Sequence, residues 1–249
     1  MGAERSTSRL WTYRKVLQSF VYFLGRYELM SDRPEHKSAT SLVLLAKDIN
    51  TSTTVAIKLM KFKENYDCEI NGRRNVDSRF VMNILVSYNG DDDGDFLSEL
   101  KRRGYGDYRY CIIMDAADRN LQRILAQEGI AGVAWEDIRR IFSDVVQCVA
   151  HVHSKNIVHG DVKPLNVLRN RDGKMVLIDM DASVQVSEGK ESPVGAKYSS
   201  AYCPPEFTYN DIQTNSVHIR NFKLFSEGSP VTDGLSYSLL QAHPSFDMW

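Results

Sequence analysis

The first half of the chain alternates short apolar runs with polar segments. Leu42–Leu45 and Val55–Leu59 are two such runs, and the polar turn Asn50–Thr54 joins them, which predicts two neighbouring strands. Phe80–Val86 is a further apolar run and predicts a buried strand. We expect a solvated loop at the acidic stretch Asp91–Asp95, because its glycine is misplaced for a calcium-binding loop.

The spacing of apolar residues becomes helical in the second half. Leu121, Ile124 and Leu125 predict a short helix. Apolar residues then recur at three- and four-residue steps over almost four turns, which predicts a longer helix; they are Ile138, Ile141, Phe142, Val145, Val149 and Val152. His151 and His153 are two residues apart on this helix, so they cannot share a face and we expect no metal site from them.

The polar stretch His159–Asn166 follows the long predicted helix. Proline lacks an amide hydrogen and pushes the preceding residue towards extended conformations, so Lys163-Pro164 disfavours helix here. We therefore expect Asp161, Lys163 and Asn166 to lie on a loop.

A hairpin is predicted directly after this loop. Val167–Leu168 and Met175–Ile178 are short apolar runs on either side of Arg171–Lys174, which contains an Asp-Gly turn signal. Two short strands should follow the loop, and Asp179 should emerge at the end of the second.

The polar side chains of this region suit phosphate chemistry. Asn166 and Asp179 offer oxygen ligands, which suit Mg²⁺, a hard cation that usually takes one or two protein ligands plus phosphate oxygens and water. Asp161 has no second carboxylate close in sequence, so it can orient a nucleophile or accept its proton. The region is interpreted as a phosphotransfer site.

Four motifs resemble those of eukaryotic-type protein kinases. His159–Asn166 resembles the catalytic loop, Asp179–Asp181 stands where Asp-Phe-Gly is expected, and Val55–Lys58 resembles the lysine strand. Pro204–Glu206 occupies the place of Ala-Pro-Glu, and the motifs occur in the kinase order. The resemblance extends over roughly residues 27–249.

This resemblance implies an α+β, two-lobed protein kinase-like fold. A lead-in over residues 1–26 would precede a small β-rich N-lobe with its hinge over residues 27–117, and a helical C-lobe over residues 118–249 would follow. Asp247 resembles the start of a helix that anchors the catalytic loop in kinases. We expect the C-lobe to be truncated after this point, which would leave Asp247 without partners.

The resemblance also implies the catalytic and metal-binding roles. Asp161 would position the substrate hydroxyl, Lys163 would neutralise the γ-phosphate, and Ser199 would hydrogen-bond both of these side chains. Asn166 and Asp179 would carry Mg²⁺. The implied reaction is transfer of the γ-phosphate of ATP to serine or threonine hydroxyls, because Lys163 two residues beyond Asp161 is the Ser/Thr-type arrangement.

A second set of residues would bind the nucleotide, again by resemblance. Lys58 would hold the α- and β-phosphates of ATP, and Glu69 would orient Lys58. Met114 would be the gatekeeper at the end of the strand that leads into the hinge. The backbone from Asp115 to Ala117 would hydrogen-bond adenine.

Some positions depart from the kinase pattern and keep alternatives open. The stretch Arg33–Ser41 contains no glycine where a glycine-rich loop is expected, so close approach of its backbone to phosphates is sterically harder. Asp181 replaces the glycine of Asp-Phe-Gly, and Gly160 replaces an arginine. The absent glycine-rich loop, Asp181 and the expected truncation of the C-lobe favour the alternative function, a pseudokinase-type nucleotide-binding or non-catalytic scaffold module. A small-molecule kinase of related fold is disfavoured by Pro204–Glu206 and Ser199.

Composition limits the possible partners and the compartment. The 249 residues carry a net charge of -1, which gives no argument for a nucleic-acid or bulk membrane partner. Four cysteines have no close pairing or metal-type spacing, which favours reduced thiols and a cytoplasmic location. A protein substrate is the expected partner, and further regulatory domains are expected in the full-length protein.

Overall fold

The computed structural model describes residues 22–127, 135–187, 202, 208–211, 216–219 and 242–248. These residues divide into two compact units. The first contains the described residues up to Tyr66 together with Asn83–Ala116, and the second contains Asp67–Met82 and the described residues from Ala117 onward. Residues 67–82 therefore group with the second unit, whereas the bounds expected from sequence place them in the N-lobe over residues 27–117.

An antiparallel sheet of seven strands forms the first unit. The elements of this region are β1 (Tyr22–Phe23), β2 (Tyr27–Leu29), β3 (His36–Lys37), β4 (Ser41–Asp48), β5 (Thr54–Met60), α1 (Lys63–Asn71), β6 (Ile84–Asn89), α2 (Gly94–Arg102) and β7 (Tyr110–Asp115). The strand order is β1-β2-β4-β5-β7-β6, and β3 pairs with β4 beside this path. The sheet begins at β1, within the predicted lead-in, and helix α1 spans the boundary between the units.

Alternating apolar residues hold this sheet on helix α2. Val55, Ile57 and Leu59 on β5 are fully buried on one face and join a core that also contains Phe96 and Leu100 of α2. Each buried side chain of this size contributes about 1.5–3 kcal/mol to folding. The predicted strands β4 and β5 and the connecting polar turn are confirmed.

Two sequence predictions in this unit are wrong. The strand predicted over Phe80–Val86 runs instead from Ile84 to Asn89. Val81 belongs to the second unit, where it forms an isolated bridge with Leu177. The stretch Asp91–Asp95 is only partly a loop. Its Asp93 caps helix α2 by accepting a hydrogen bond from the amide of Phe96 at 2.9 Å.

One ion pair closes the end of strand β4. The Arg26 Nε and NH2 groups donate to the two carboxylate oxygens of Asp48 at 2.9 and 2.7 Å. The Asn50 amide also donates to this carboxylate. The Arg26 guanidinium lowers the pKa of Asp48 to about 2, despite the opposing effect of burial.

The second unit combines helices with short two- and three-stranded sheets. Its described elements beyond α1 are β8 (Arg119–Asn120), α3 (Leu121–Gln127), α4 (Trp135–Ser154), β9 (Ile157–Val158), β10 (Val167–Arg169), β11 (Met175–Leu177), β12 (Val184–Gln185), β13 (Thr208–Asp211) and β14 (Ser216–Ile219). The pairings are β11-β10-β8, β12-β9 and β13-β14. A β-rich first unit and helices in the second confirm the α+β class.

Helix α4 and the β10–β11 hairpin share the core of the second unit. Cys148, Val149 and Val152 of α4 pack in one cluster with Val167 and Leu177 of the hairpin. The predicted short helix, long helix and hairpin are all confirmed. No helix among the described residues is long and apolar enough to cross a membrane.

The three cysteines within the described ranges form no disulfide. Cys111 and Cys148 are buried, and Cys68 is partly buried. Burial raises the pKa of the Cys148 thiol to about 12 and that of Cys111 further still. Both thiols therefore stay protonated and unreactive at neutral pH.

Candidate active site

The loop that follows β9 brings three polar side chains together around one carboxylate. Asp161 Oδ2 accepts hydrogen bonds from Lys163 Nζ at 2.6 Å and from Asn166 Nδ2 at 3.0 Å. Asn166 Nδ2 also donates to the Asp161 carbonyl at 2.9 Å, so the amide holds the backbone and the side chain of Asp161 at once. Asp161 and Asn166 are buried, which restricts the carboxylate to one orientation.

Proline shapes this loop as the sequence predicts. Lys163 is extended, with φ -158° and ψ 161°, and a single 3₁₀ turn over Pro164–Asn166 begins directly after it. The Asn166 amide donates to the Lys163 carbonyl at 2.8 Å, and its carbonyl accepts from the Ile178 amide at 3.0 Å. The turn therefore carries Asn166 next to the segment that leads to Asp179.

His159 is a buried hydrogen-bonding residue. Its Nε2 atom lies 3.0 Å from the Ile178 carbonyl, and its Nδ1 atom accepts from the Asp161 amide at 3.3 Å. A carbonyl can only accept, so Nε2 carries the hydrogen and the ring is neutral. His159 thus joins the Asp161 loop to the strand end before Asp179.

Asp247 lies in a 3₁₀ turn over Pro244–Met248 and hydrogen-bonds to the backbone of the same loop. Its two oxygens accept from the amides of His159 and Gly160, each at 2.7 Å, and Oδ2 also lies 2.8 Å from His153 Nε2. The expectation that Asp247 lacks partners is wrong. Its carboxylate is buried because those amides and the imidazole solvate it in place of water.

Gly160 adopts a conformation that the expected arginine would not tolerate. Its φ is +79°, and an added Cβ would lie 2.5 Å from the Ala182 carbonyl oxygen. Strand β12 pairs with β9 at this point, which brings the segment after Asp181 against the loop. The departure from the kinase pattern at Gly160 therefore has a local steric reason.

The β10–β11 hairpin delivers Asp179, two residues after its second strand. Asp179 has φ 65° and ψ 64°, a left-handed conformation that is uncommon outside glycine. A 3₁₀ turn over Met180–Ala182 follows, with Met180 fully buried in the core of the unit. The Met180 amide donates to Glu69 Oε2 at 3.0 Å, which fixes the backbone directly after Asp179.

Three carboxylates meet at this turn. One oxygen from each of Glu69, Asp179 and Asp181 lies within 4.8 Å of the others. Glu69 is fully buried and also pairs with the guanidinium of Arg73, which lies in the turn directly after helix α1. Asp181, which stands where a glycine is expected, is buried beside it.

These residues fit a hard divalent cation. Carboxylate oxygens of Asp179 and its neighbours form an oxygen-rich cluster, as Mg²⁺ prefers. Both hydrogens of Asn166 Nδ2 go to Asp161, which leaves the side-chain oxygen Oδ1 as the atom that can face a cation. Within the described ranges, the carboxylate cluster therefore contains Asp179, one of the two predicted ligands, together with Glu69 and Asp181. The other predicted ligand, Asn166, lies in the 3₁₀ turn over Pro164–Asn166.

The predicted nucleotide residues of the first unit lie on its two central strands. Lys58 is buried on β5, in register with Val43 of β4 and Ile112 of β7. Met114 and Asp115 are the last two residues of β7. Ala117 follows just beyond and groups with the second unit, as does Glu69.

The turn between β3 and β4 occupies the place of the missing glycine-rich loop. Its amides are already bonded: Ser38 Oγ accepts from the Thr40 amide at 3.3 Å and from the Ser41 amide at 3.0 Å. The Ser38 amide in turn donates to the Ser41 carbonyl at 2.8 Å. These three amides therefore already have acceptors within the turn.

Two of the motif positions lie outside the described residues. Ser199, predicted to bond Asp161 and Lys163, is one of them, and the Pro204–Glu206 motif is the other. Their predicted roles stay predictions.

Comparison with known proteins supports the geometric reading. The family model for the protein kinase domain matches residues 38–233, which is well over half of the chain. The chain belongs to the protein kinase family. The kinase fold expected from the four motifs is thereby confirmed.

Curated kinases resemble this kinase domain at low identity. Serine/threonine-protein kinase AtPK1/AtPK6 of Arabidopsis thaliana is 31% identical over 101 residues, which cover 40% of this chain and 21% of the plant protein. Dual specificity tyrosine-phosphorylation-regulated kinase 2 of Drosophila melanogaster is 27% identical over 190 residues, which cover 70% of this chain and 23% of the fly protein. The chain thus spans less than a quarter of the length of these relatives.

Sequence reasoning missed the roles of Arg73 and His153 in supporting the kinase site, and it missed the partners of Asp247. Arg73 pairs with Glu69 four residues earlier, a spacing that puts both on one helix face and could have been noticed. His153 and Asp247 meet across 94 positions of sequence, and no local signal indicates that contact. The three residues contact other site residues and are not themselves predicted ligands.

Proposed function

We propose that this domain is an ATP- and Mg²⁺-dependent protein kinase that phosphorylates serine or threonine hydroxyls of protein substrates. The observation that carries the proposal is the Asp161 carboxylate held between Lys163 and Asn166. A buried carboxylate in a fixed orientation can align an incoming hydroxyl and accept its proton. Membership of the protein kinase family supports the same reading.

The roles of the catalytic residues follow from their chemistry. Asp161 positions the substrate hydroxyl, and Lys163 places a positive charge next to it that can offset charge on the transferred γ-phosphate. Ser199 is proposed to bond both. Asn166 and Asp179 would hold Mg²⁺, which when bound neutralises charge on the phosphate oxygens.

The nucleotide roles are likewise proposals. Lys58 would contact the α- and β-phosphates, with Glu69 orienting it. Met114, Asp115 and Ala117 would contact adenine. Lys58 and Glu69 are both buried, and Glu69 already has the Arg73 guanidinium as a partner of opposite sign.

Serine and threonine specificity rests on Lys163 and on the relatives. Lys163 lies two residues beyond Asp161, which is the Ser/Thr-type spacing, and AtPK1/AtPK6 is named as a serine/threonine kinase. Protein substrates are the partners that the family implies. A cytoplasmic location is proposed because Cys68, Cys111 and Cys148 form no disulfide.

A pseudokinase scaffold is the second candidate, and one observation favours it. The amides of the Ser38–Ser41 turn are bonded within the turn and offer no ready phosphate cradle. Asp181 adds negative charge beside Asp179, where a phosphate must approach. Both features weaken nucleotide binding, although neither removes a catalytic group.

A phosphotransfer assay distinguishes the two candidates. The chain is incubated with γ-labelled ATP, Mg²⁺ and a mixture of basic and acidic protein substrates, and the labelled amino acids are identified. We expect label on serine and threonine, and a fall of at least about 100-fold with Asp161→Asn, as for loss of a general base. Label dominated by phosphotyrosine would contradict the specificity. No transfer above the level of Asp161→Asn would favour the scaffold.

A further inference from the structure

Arg73 is a buried guanidinium that ties helix α1 to its surroundings. Its side chain is 6% exposed, and it pairs with the carboxylate of Glu69, which is fully buried. Its Nε atom donates to the Met82 carbonyl at 2.7 Å, and NH1 donates to the Glu69 carbonyl at 3.0 Å. Arg73 therefore fixes Glu69 by its side chain and its backbone together.

Glu69 links Arg73 to the turn over Met180–Ala182. Its Oε2 atom, which takes the Arg73 hydrogen bond, also accepts from the Met180 amide at 3.0 Å. Met180 directly follows Asp179, whose φ of 65° is a conformation that a non-glycine residue holds only when its surroundings fix it. The bond to Glu69 is one such constraint.

The charge balance of the turn points to Arg73 as well. The carboxylates of Glu69, Asp179 and Asp181 approach one another within 4.8 Å. Like charges at this distance repel, and the repulsion is stronger where side chains are buried. The Arg73 guanidinium brings a positive charge to one member of the group and so lets the three oxygens stay close.

Gly72 shows independently that the end of helix α1 lies against the turn over Met180–Ala182. An added Cβ at Gly72 would lie 2.4 Å from Ser183 Oγ and 2.9 Å from Met180 Cβ. The end of helix α1 thus packs directly on the turn over Met180–Ala182 and the residue after it. Any side chain at Gly72 would push that turn away.

We propose that Arg73 is a positioning residue for the cation ligand Asp179, acting through Glu69 and the Met180 amide. The proposal rests on the proposed function, because it assumes that Asp179 holds the divalent cation of a nucleotide complex. Residues that orient a metal ligand without touching the metal commonly change metal affinity by about 10–100-fold when they are removed. Arg73 itself touches neither metal nor phosphate in this scheme.

The test measures how much a divalent cation strengthens ATP binding. Isothermal titration calorimetry of the chain with ATP is carried out in excess Mn²⁺ and again in EDTA. The readout is the dissociation constant in EDTA divided by the dissociation constant in Mn²⁺. Arg73→Met should reduce this ratio by about tenfold while ATP affinity in EDTA changes by less than about twofold. A residue with a merely structural role would lower the melting temperature and leave the ratio unchanged.

Further variants keep the test decisive if Arg73→Met does not fold. Arg73→Lys retains the charge but cannot make the forked contacts to Glu69 and Met82, so its ratio should lie between the wild-type and Arg73→Met values. Gly72→Ala should lower the ratio by displacing the turn. Arg79→Met is the matched control, since Arg79 forms an exposed ion pair with Asp77, and its ratio should equal the wild-type value.

The outcomes separate this inference from the proposed function. An unchanged ratio in folded Arg73→Lys and Gly72→Ala overturns the positioning role while the proposed function stands. Wild-type binding that is the same in Mn²⁺ and EDTA overturns both the positioning role and the assignment of Asp179 as a cation ligand. No ATP binding by the wild-type chain overturns the proposed function and this inference with it.

Discussion

The Asp161–Asn166 loop and the Ser38–Ser41 turn both carry polar side chains suited to phosphate chemistry, but they are built differently. In the loop, Lys163 and Asn166 converge on the buried Asp161 carboxylate. In the turn, the Ser38 hydroxyl accepts hydrogen bonds from the amides of Thr40 and Ser41, and Ser38 itself is exposed. The first arrangement fixes the orientation of a carboxylate, whereas the second uses its amide donors within the turn.

The difference separates catalysis from nucleotide affinity. A buried loop with fixed side chains loses little entropy when it aligns a reactant. An exposed turn must break its own hydrogen bonds before its amides can contact a phosphate, and each bond contributes about 0.5–1.5 kcal/mol. We therefore expect a working catalytic loop combined with weak binding of ATP.

The largest effect should come from Asn166→Ala, which removes a predicted cation ligand and both hydrogen bonds to Asp161. We expect kcat for phosphotransfer to fall at least about 100-fold. Asn170→Ala is the matched control, because Asn170 accepts the amides of Asp172 and Lys174 in the neighbouring hairpin turn. Equal losses in the two variants would mean that the loop geometry has no catalytic role.

The next effect concerns the support of the loop. Asp247→Ala leaves the buried amides of His159 and Gly160 without their acceptor, and each unsatisfied donor costs about 1–3 kcal/mol. We expect the free energy of unfolding, measured with urea, to fall by about 2–4 kcal/mol. Asp137→Ala, at an exposed site on α4, should change it by less than about 0.5 kcal/mol. A similar value for both variants would show that Asp247 does not anchor the loop.

These contacts show where prediction from sequence succeeds and where it stops. The loop, the β10–β11 hairpin and helix α4 follow from Lys163-Pro164, the Asp-Gly turn and helical spacing, which are all local signals. Asp247 meets His159 across 88 positions, so only the folded chain brings them together. Arg73 is intermediate, because its spacing from Glu69 is local but its contact with Met82 is not.

Helix α2 was missed for a different reason. The acidic run Asp91–Asp95 is typical of a solvated loop, but Asp93 within it is the capping residue of a helix. Phe96 and Leu100 then bury that helix against the sheet. The sequence does not show which aspartate of this run caps a helix, and packing of the helix on the sheet determines that it forms.

A smaller effect is expected in the turn. Ser38→Ala removes the hydroxyl that accepts the Thr40 and Ser41 amides, but it should change the dissociation constant for Mg²⁺-ATP by less than about twofold, or about 0.4 kcal/mol. Calorimetric titration measures this, with Ser31→Ala in a nearby exposed turn as control. A tenfold loss of affinity in Ser38→Ala alone would mean that this hydroxyl holds a phosphate.

The smallest effect is the pH dependence contributed by His151. Its Nε2 accepts the Asp77 amide, and partial burial together with Lys155 and Arg79 lowers its pKa below 6.5, against the opposing effect of Asp77. The folded state therefore binds this proton less readily than the unfolded state. The stabilisation is present above pH 6.5 and is lost as the pH falls below it.

His151→Gln checks this dependence because glutamine does not titrate. Melting temperatures measured between about pH 7.5 and pH 5.5 should fall more steeply for the wild type than for the variant. His153→Gln serves as a comparison on the same helix, although it also alters the contact with Asp247. Parallel curves for the wild type and His151→Gln would contradict the assignment.

The most direct test of catalysis by this chain is a determination of kcat and of KM for ATP under initial-rate conditions with Mg²⁺ in excess. The geometry of Asp161 predicts saturable transfer that Asp161→Asn abolishes, and the bonded turn at Ser38 predicts a KM for ATP at or above about 1 mM, the upper end of the usual range. Tight binding of ATP without any transfer would contradict both halves of the comparison and identify the chain as a nucleotide-binding scaffold.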